Sequence, residues 1–332
     1  MEKTGKVVVV TGASAGIGRA TAVAFARRGW SVALLARGGH GLEGARAEVE
    51  RAGGRALVIG CDVASEDQVE SAASQVVQTF GAIDVWVNNA MATVFCDAAS
   101  ISPPDFRRAT EVTYLGAVWG TQTALRRMKP RNRGAIVQVG SALAYRSIPL
   151  QSAYCGAKSA LRGFTDSVRS ELLHDRSRVH VTMVQLAAFN TPQFQWGRTC
   201  MPRRPRPMGR IFQPEVAAEA IYWASQHRRR ELWVGWPAVQ AILGQRFIAP
   251  LLDRWLAKNG YEGQFSEEPL PEGREDNLHA PVARDLGAHG RFDAVALPRS
   301  AQHWANTHRG AIAVLGAAAG MFYLAFRNKR AR

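Results

Sequence analysis

Three residue types at fixed spacing mark the part of this 332-residue chain that can do proton chemistry. Ser141 is followed thirteen residues later by Tyr154, and Lys158 stands four residues beyond the Tyr. On a helix predicted over Ser152–His174, residues four apart share a face, so a phenol and an ammonium become neighbours. A Tyr by itself titrates near ~10, and an adjacent cation favours its phenolate. Such a phenol can give or take a proton near neutral pH. Tyr-xxx-Lys alone is a weak signal, because the spacing arises by chance in chains of this length. Two features strengthen it: Ser141 ends a predicted strand, Ala135–Gly140, and a nucleotide-type turn lies upstream. An open parallel sheet holds its ligands beyond the carboxyl ends of its strands.

Positioning these groups falls to an alternation of strands and helices. Lys6–Val10 is a β-branched run ending in Thr11-Gly-Ala-Ser-Ala-Gly-Ile-Gly18, and a helical pattern follows through Arg28. Strand, glycine turn and helix in that order form the context of a dinucleotide fingerprint. The glycines let backbone approach a pyrophosphate, and the helix N-terminus supplies amide donors. Ser31–Ala36 is a second strand, ending at Arg37. Sites that prefer NAD usually place a carboxylate there. Arg37, with Arg19 in the preceding helix, suits a 2′-phosphate instead, so NADP(H) is the expected cofactor. Ala56–Gly60 is the third strand, with Asp62 and Val63 beyond its end. Asp62 either hydrogen-bonds the adenine amino group or caps the helix that begins near Ser65.

Glu66–Phe80 reads as a helix, and Ile83–Val87 as a fourth strand running into Asn88-Asn89-Ala90. Asp105–Met128 reads as one long helix, broken from what precedes it by Pro103-Pro104. Ala135–Gly140, Arg178–Gln185 and Glu231–Val234 complete the strands, and Pro214–Gln226 is a further helix. This alternation predicts an α/β fold: a doubly wound parallel sheet of about seven strands.

Composition narrows the function classes. Hydrophobic residues make up 47% of the chain and charged ones 21%, an ordinary globular balance. The formal net charge is +15, but three acid-free stretches, Arg198–Arg210, Arg228–Arg230 and Arg327–Arg332, carry twelve of the positive charges. Localised runs of this kind mark solvated loops or membrane-facing patches. No recognisable nucleic-acid module accompanies them, so no nucleic-acid partner is expected. The four cysteines, Cys61, Cys96, Cys155 and Cys200, form no CxxC pair, and no metal site is expected. The early apolar run Val7–Val10 is too short for a signal peptide. A reducing compartment, with the catalytic domain in the cytoplasm, is the expectation.

Taken in order, Thr11-Gly12-xxx-Gly16-x-Gly18, Asn88-Asn89-Ala90, Ser141 and Tyr154-xxx-Lys158 resemble the short-chain dehydrogenase/reductase family, over about Lys6 to Val234. The resemblance implies that Tyr154 donates a proton to a carbonyl or takes one from an alcohol, that Ser141 hydrogen-bonds the substrate oxygen, and that Lys158 holds the nicotinamide ribose and lowers the Tyr pKa. By the same resemblance Thr11, Gly12, Ser14, Gly16, Ile17, Gly18, Arg37, Asp62, Val63, Asn89, Ala90 and Thr191 surround the cofactor. Homo-oligomers through the helices Asp105–Met128 and Ser152–His174 are implied as well. The sequence departs from the family pattern in three places. Thr113 stands where the family has an Asn that completes a catalytic tetrad. Leu186-Ala187 replaces Pro-Gly before Thr191, and Met91 replaces a Gly.

Arg198–Arg210 falls where the family carries a variable lid, and its prolines predict a mobile loop. Phe189, Phe194 and Trp196 are candidates to line an apolar substrate pocket. Residues 236–261 predict a helical extension of the catalytic domain (1–235), and residues 262–308 a linker with little structure. Gly310–Phe326 is free of charge over seventeen residues and precedes a basic tail. A spanning helix needs ~20 apolar residues, from about 17 upward, so residues 309–332 read as a transmembrane anchor. The expectation is a membrane-associated, NADP(H)-dependent oxidoreductase interconverting a lipophilic carbonyl and its alcohol. The alternative is an NADP-binding sensor or scaffold with little turnover.

Overall fold

A strand paired on both edges and covered on both faces has no polar side to show, which is why its sequence is a continuous β-branched run. In the computed structural model, which describes residues 5–310, that run is the middle of the sheet. Its strands are β1 (Val7–Thr11), β2 (Ser31–Ala36), β3 (Arg55–Gly60), β4 (Val85–Asn88), β5 (Ala135–Val139), β6 (His180–Leu186) and β7 (Glu231–Val234). They pair in parallel in the order β7-β6-β5-β4-β1-β2-β3. The fold is the doubly wound parallel sheet that the alternation predicts.

The longer helices are α1 (Gly16–Ala26), α2 (Gly39–Arg51), α3 (Glu66–Phe80), α4 (Pro103–Thr110), α5 (Gly116–Met128), α6 (Ser152–His174), α7 (Pro214–Gln226), α8 (Trp236–Asn259) and α9 (Ala301–Thr307). Alternate residues of a strand point to opposite faces, so β1 feeds two cores. Val8 and Val10 join a core with Phe25 of α1 and Ile221 of α7. Val7 and Val9 join one with Val76 of α3 and Met128 of α5.

The helix expected as one piece over 105–128 begins earlier and changes pitch. Ser102 caps α4 by accepting from the Asp105 amide, and the prolines occupy its first turn, where their missing N–H costs nothing. A π-helical turn, Glu111–Leu115, joins α4 to α5. Asp62 does not cap α3; Ser65 does, accepting from the Gln68 amide at 3.4 Å.

Beyond the sheet, α8 is interrupted at Ile248 (φ −135°, ψ 33°), two residues before Pro250. Residues 262–308, expected as a linker with little structure, hold little regular secondary structure and are packed down by specific contacts. Leu278 is fully buried in the second core, Leu297 bridges Phe212, and Gln302 of α9 hydrogen-bonds the backbone on both sides of Val234, at Trp233 and Gly235. A polar segment can be ordered this way when backbone carbonyls and carboxylates find arginines, a pairing that composition does not reveal.

The lid expected over 198–210 is likewise tied: Arg198 pairs with Asp105 and Asp276, Arg203 with Glu262, and Arg204 with Glu268. Cys96 and Cys200, 104 residues apart, form a disulfide where Val94–Phe95 pairs with Arg198–Thr199. This pairing is at odds with the reducing compartment expected from the cysteine spacing; Cys61 and Cys155 are buried and free. The expected membrane anchor falls, apart from residues 309 and 310, outside the described residues. Among the described residues no helix is long and apolar enough to cross a membrane.

Candidate active site

The chain order of the sheet reverses between β1 and β4, and the crevice that opens there is built by polar side chains. Thr11 Oγ1 donates to the Val87 carbonyl (3.2 Å) and accepts from the Asn89 and Ala90 amides, both at 3.0 Å. Asn89 Nδ2 donates back to the carbonyls of Thr11 (2.9 Å) and Gly12 (3.2 Å). Thr11 and Asn89 thus lash the two strand ends together at the rim of the crevice.

The glycine turn fits a pyrophosphate. Gly12 and Gly16 have φ of +65° and +58°, the left-handed region that disfavours side chains. A methyl group on Gly18 would fall onto the Gly12 carbonyl. The turn delivers the N-terminus of α1 to a cleft of about 180 Å³, lined by Gly12, Ser14, Gly16, Ile17, Arg37, Asp62, Val63, Asn89, Ala90 and Thr191. Those predicted cofactor residues are therefore gathered in one place. Thr11 and Gly18 stand behind the wall as its supports. Trp196, expected in a substrate pocket, lines this nucleotide cleft instead.

The cleft adjoins a second cavity of about 400 Å³, and Ile17, Asn89, Met91, Thr191 and Gln193 belong to both. Ser141, Tyr154 and Lys158 face this second cavity, with Leu143, Ile148, Phe189, Phe194, Met208, Leu252, Trp255 and Leu256 supplying an apolar lining. Lys158 is buried, its ammonium 5.6 Å from the Tyr154 ring centroid and donating to the Val139 carbonyl at 2.6 Å. Burial lowers its pKa to about 8. Burial also raises the Tyr154 phenol above its ordinary value, an effect that a hydrogen bond with Ser141 only partly offsets. The expected lowering of the phenol by Lys158 is not what this environment produces. Desolvation penalises phenolate and ammonium alike, so Tyr154 carries its proton at neutral pH.

Thr113, expected in the catalytic set, is turned away. It sits in the π-helical turn, and its hydroxyl donates to the Ala92 carbonyl and accepts from the Ala92 amide, both at 2.9 Å. It borders neither cavity and positions the loop after β4.

Sequence reasoning missed Arg108 and the partners of Asn88 and Arg19, and those partners take Arg19 away from the 2′-phosphate role expected of it. Asn88 lies beneath the crevice in a buried network, donating to Thr121 Oγ1 and Gln138 Oε1 at 3.0 Å and accepting from Trp86 Nε1 at 2.8 Å. Arg108 pairs with Asp62 at 2.6 Å, so the carboxylate expected at the adenine is already engaged. Arg19 is buried between Glu48 (2.9 Å) and Asp285. Burial opposes its charge, but the hydrogen bonds to those two carboxylates outweigh that and raise its pKa. The residues beyond 270 that reach the cleft carried no sequence signal.

Residues 6–198 match the sequence profile of the family described as short chain dehydrogenase. The chain belongs to that family. It is 33% identical over 321 residues to an uncharacterised oxidoreductase of Bacillus subtilis, YxnA, a match covering 95% of this chain and 88% of the relative. With human dehydrogenase/reductase SDR family member 7 it shares 38% identity over 175 residues, 52% of each chain. Among solved structures, an alcohol dehydrogenase from Thermococcus sibiricus complexed with 5-hydroxy-NADP superposes with a TM-score of 0.60 at 28% identity. That match covers 69% of this chain and 95% of the other. A metagenomic short-chain oxidoreductase in complex with NADP gives 0.59 at 26% identity, covering 69% and 96%. Family membership makes the protein an oxidoreductase and accounts for the sheet, the glycine turn and the Tyr-xxx-Lys helix.

Proposed function

We propose that this oxidoreductase uses NADP(H) to interconvert a carbonyl and an alcohol on a lipophilic substrate. The observation that carries the reading is the meeting of Ser141, Tyr154 and Lys158 at an apolar cavity that opens from the nucleotide cleft. The dinucleotide, when bound, supplies or accepts the hydride at its nicotinamide ring. The glycine turn and the first amides of α1 would hold its pyrophosphate. Lys158, fixed on Val139, would hydrogen-bond the nicotinamide ribose. Tyr154 gives its proton to the carbonyl oxygen during reduction and takes it back during oxidation. Ser141 holds that oxygen in line.

Arg37 at the end of β2 supports NADP(H) over NAD(H), as do the NADP ligands of the two solved relatives. The apolar lining supports a lipophilic substrate. So does the outer face of α8, whose Leu252, Trp255 and Leu256 line the cavity while Phe247 (74% exposed) and Leu251 (59%) face outward beside them. That face fits association with a lipid surface from which such a substrate would enter. Leu173 (73% exposed) on α6 and Phe106 (43%) on α4 supply apolar surface for a homo-oligomer.

The test is NADPH oxidation against lipophilic and small polar carbonyls, with Tyr154→Phe alongside. Loss of about a hundredfold or more in turnover, with NADPH binding kept, is expected of the variant. Equal behaviour of parent and variant would favour the second reading, a cofactor-binding sensor or scaffold, which the engagement of Thr113 by Ala92 supports.

A further inference from the structure

The nucleotide cleft is already spanned by this chain's own backbone. Residues 276–287 run across its adenosine end, pinned by fully buried Leu278, by Asp276 on Arg198 (2.9 Å) and by His279 on Asp105 (2.8 Å). Asp285 fastens the far end to Arg19. Between these pins the strap offers carbonyls to the two donors that a phosphorylated dinucleotide needs. Arg37 donates to the carbonyls of Asn277, Leu278 and His279, the last two at 3.1 Å. The Gly16 amide, at the start of α1, donates to the Gly287 carbonyl at 3.1 Å. Arg108 adds a bond to the Leu278 carbonyl at 3.1 Å.

A carbonyl oxygen, with its partial negative charge, and a phosphate oxygen, with a formal one, both accept from a guanidinium. A 2′-phosphate on Arg37 would meet three carbonyl oxygens already seated there, oxygen against oxygen. The space left under the strap, about 180 Å³, is also below the ~300–1,000 Å³ of small-molecule sites. NAD(H), which lacks the 2′-phosphate, makes no claim on Arg37.

We propose that the strap 276–287 is a competing occupant of the 2′-phosphate end of the cleft, displaced when NADP(H) binds. The latch holding it down then sets the affinity for NADP(H) more than for NAD(H). This rests on the NADP(H) reading above. A ligand whose site is open only a fraction of the time binds more weakly by that fraction, so loosening the latch tightens binding. Asp285→Ala and Asp285→Asn are the suitable variants, because Arg19 keeps its two bonds to Glu48.

The experiment measures NADPH and NADH dissociation constants for the full chain and both variants, with hydrogen exchange of 276–287 as a second readout. The expected result is NADPH binding about fivefold tighter in the variants, the bias a partly exposed ion pair can exert, and a smaller change for NADH. Strap amides of the parent should exchange faster once NADPH is bound. Unchanged or weaker NADPH binding in the variants, or strap amides protected by NADPH, would make the strap a fixed wall of the site and overturn the proposal alone. No binding of either dinucleotide by parent or variants would remove the cofactor reading, and this proposal with it.

Discussion

Two buried residues decide how the site works, and they act in opposite ways. Lys158 is held by the Val139 carbonyl with its pKa lowered by burial to about 8. Its charge is complete below that pH and is lost as pH rises through it. The kcat/KM for carbonyl reduction reports groups of the free enzyme and should therefore fall with a midpoint near 8. Lys158→Arg should remove that limb while lowering the plateau. A parent profile that stays flat well above that pH would contradict the assignment. Thr113 contributes position and no proton. Replacing it with Val strands the Ala92 amide and carbonyl, both buried, at a cost of about 1–3 kcal/mol. The loss should appear as a lower midpoint in urea unfolding.

At the scale of elements, the turns and the helix faces carry the function. The glycine turn is possible only because Gly12 and Gly16 adopt positive φ and Gly18 packs on the Gly12 carbonyl. The π-helical turn between α4 and α5 aims Thr113 at Ala92. Helix α8 is apolar on two sides: one side lines the cavity, and the other exposes Leu243, Phe247 and Leu251 at a spacing of four. Phe247→Ser with Leu251→Ser should raise KM severalfold for a lipophilic carbonyl presented in phosphatidylcholine vesicles. For a small soluble carbonyl KM should stay unchanged. Equal effects on both substrates would mean that the face serves folding of the cavity wall.

At the scale of the molecule, distant parts of the chain are closed onto the sheet by ion pairs and one disulfide. Cys96–Cys200 closes a loop spanning 104 residues. In the chain-entropy account a loop of that length is worth about 4–5 kcal/mol. Cys200→Ser should therefore lower the urea midpoint strongly, and reductant should do the same to the parent while leaving the variant unmoved. The arginine run 198–210, which in the sequence reads as free positive charge, is largely matched by Asp105, Asp276, Glu262 and Glu268. Carboxylates from the C-terminal region thereby turn a potential anion-binding loop into an internal clasp.

What the sequence determined by itself was everything that depends on near neighbours along the chain. Continuous apolar runs such as Val7–Val10 specify strands buried on both faces. The glycine spacing 12-16-18 specifies the nucleotide turn. The four-residue step from Tyr154 to Lys158 specifies a shared helix face. Strand ends were legible to within about two residues, as at Ile83–Val87 against the observed Val85–Asn88. What only the tertiary structure decided was where polar groups find partners. Arg37 meets carbonyls some 240 residues away, Asp62 meets Arg108, Thr113 turns to Ala92, and Cys96 meets Cys200. A buried donor or acceptor must be satisfied by whatever the fold brings within about 3 Å, and that choice has no period in the sequence. Local pattern fixes the elements, while long-range satisfaction of charge and hydrogen bonds fixes what the site's residues are free to do.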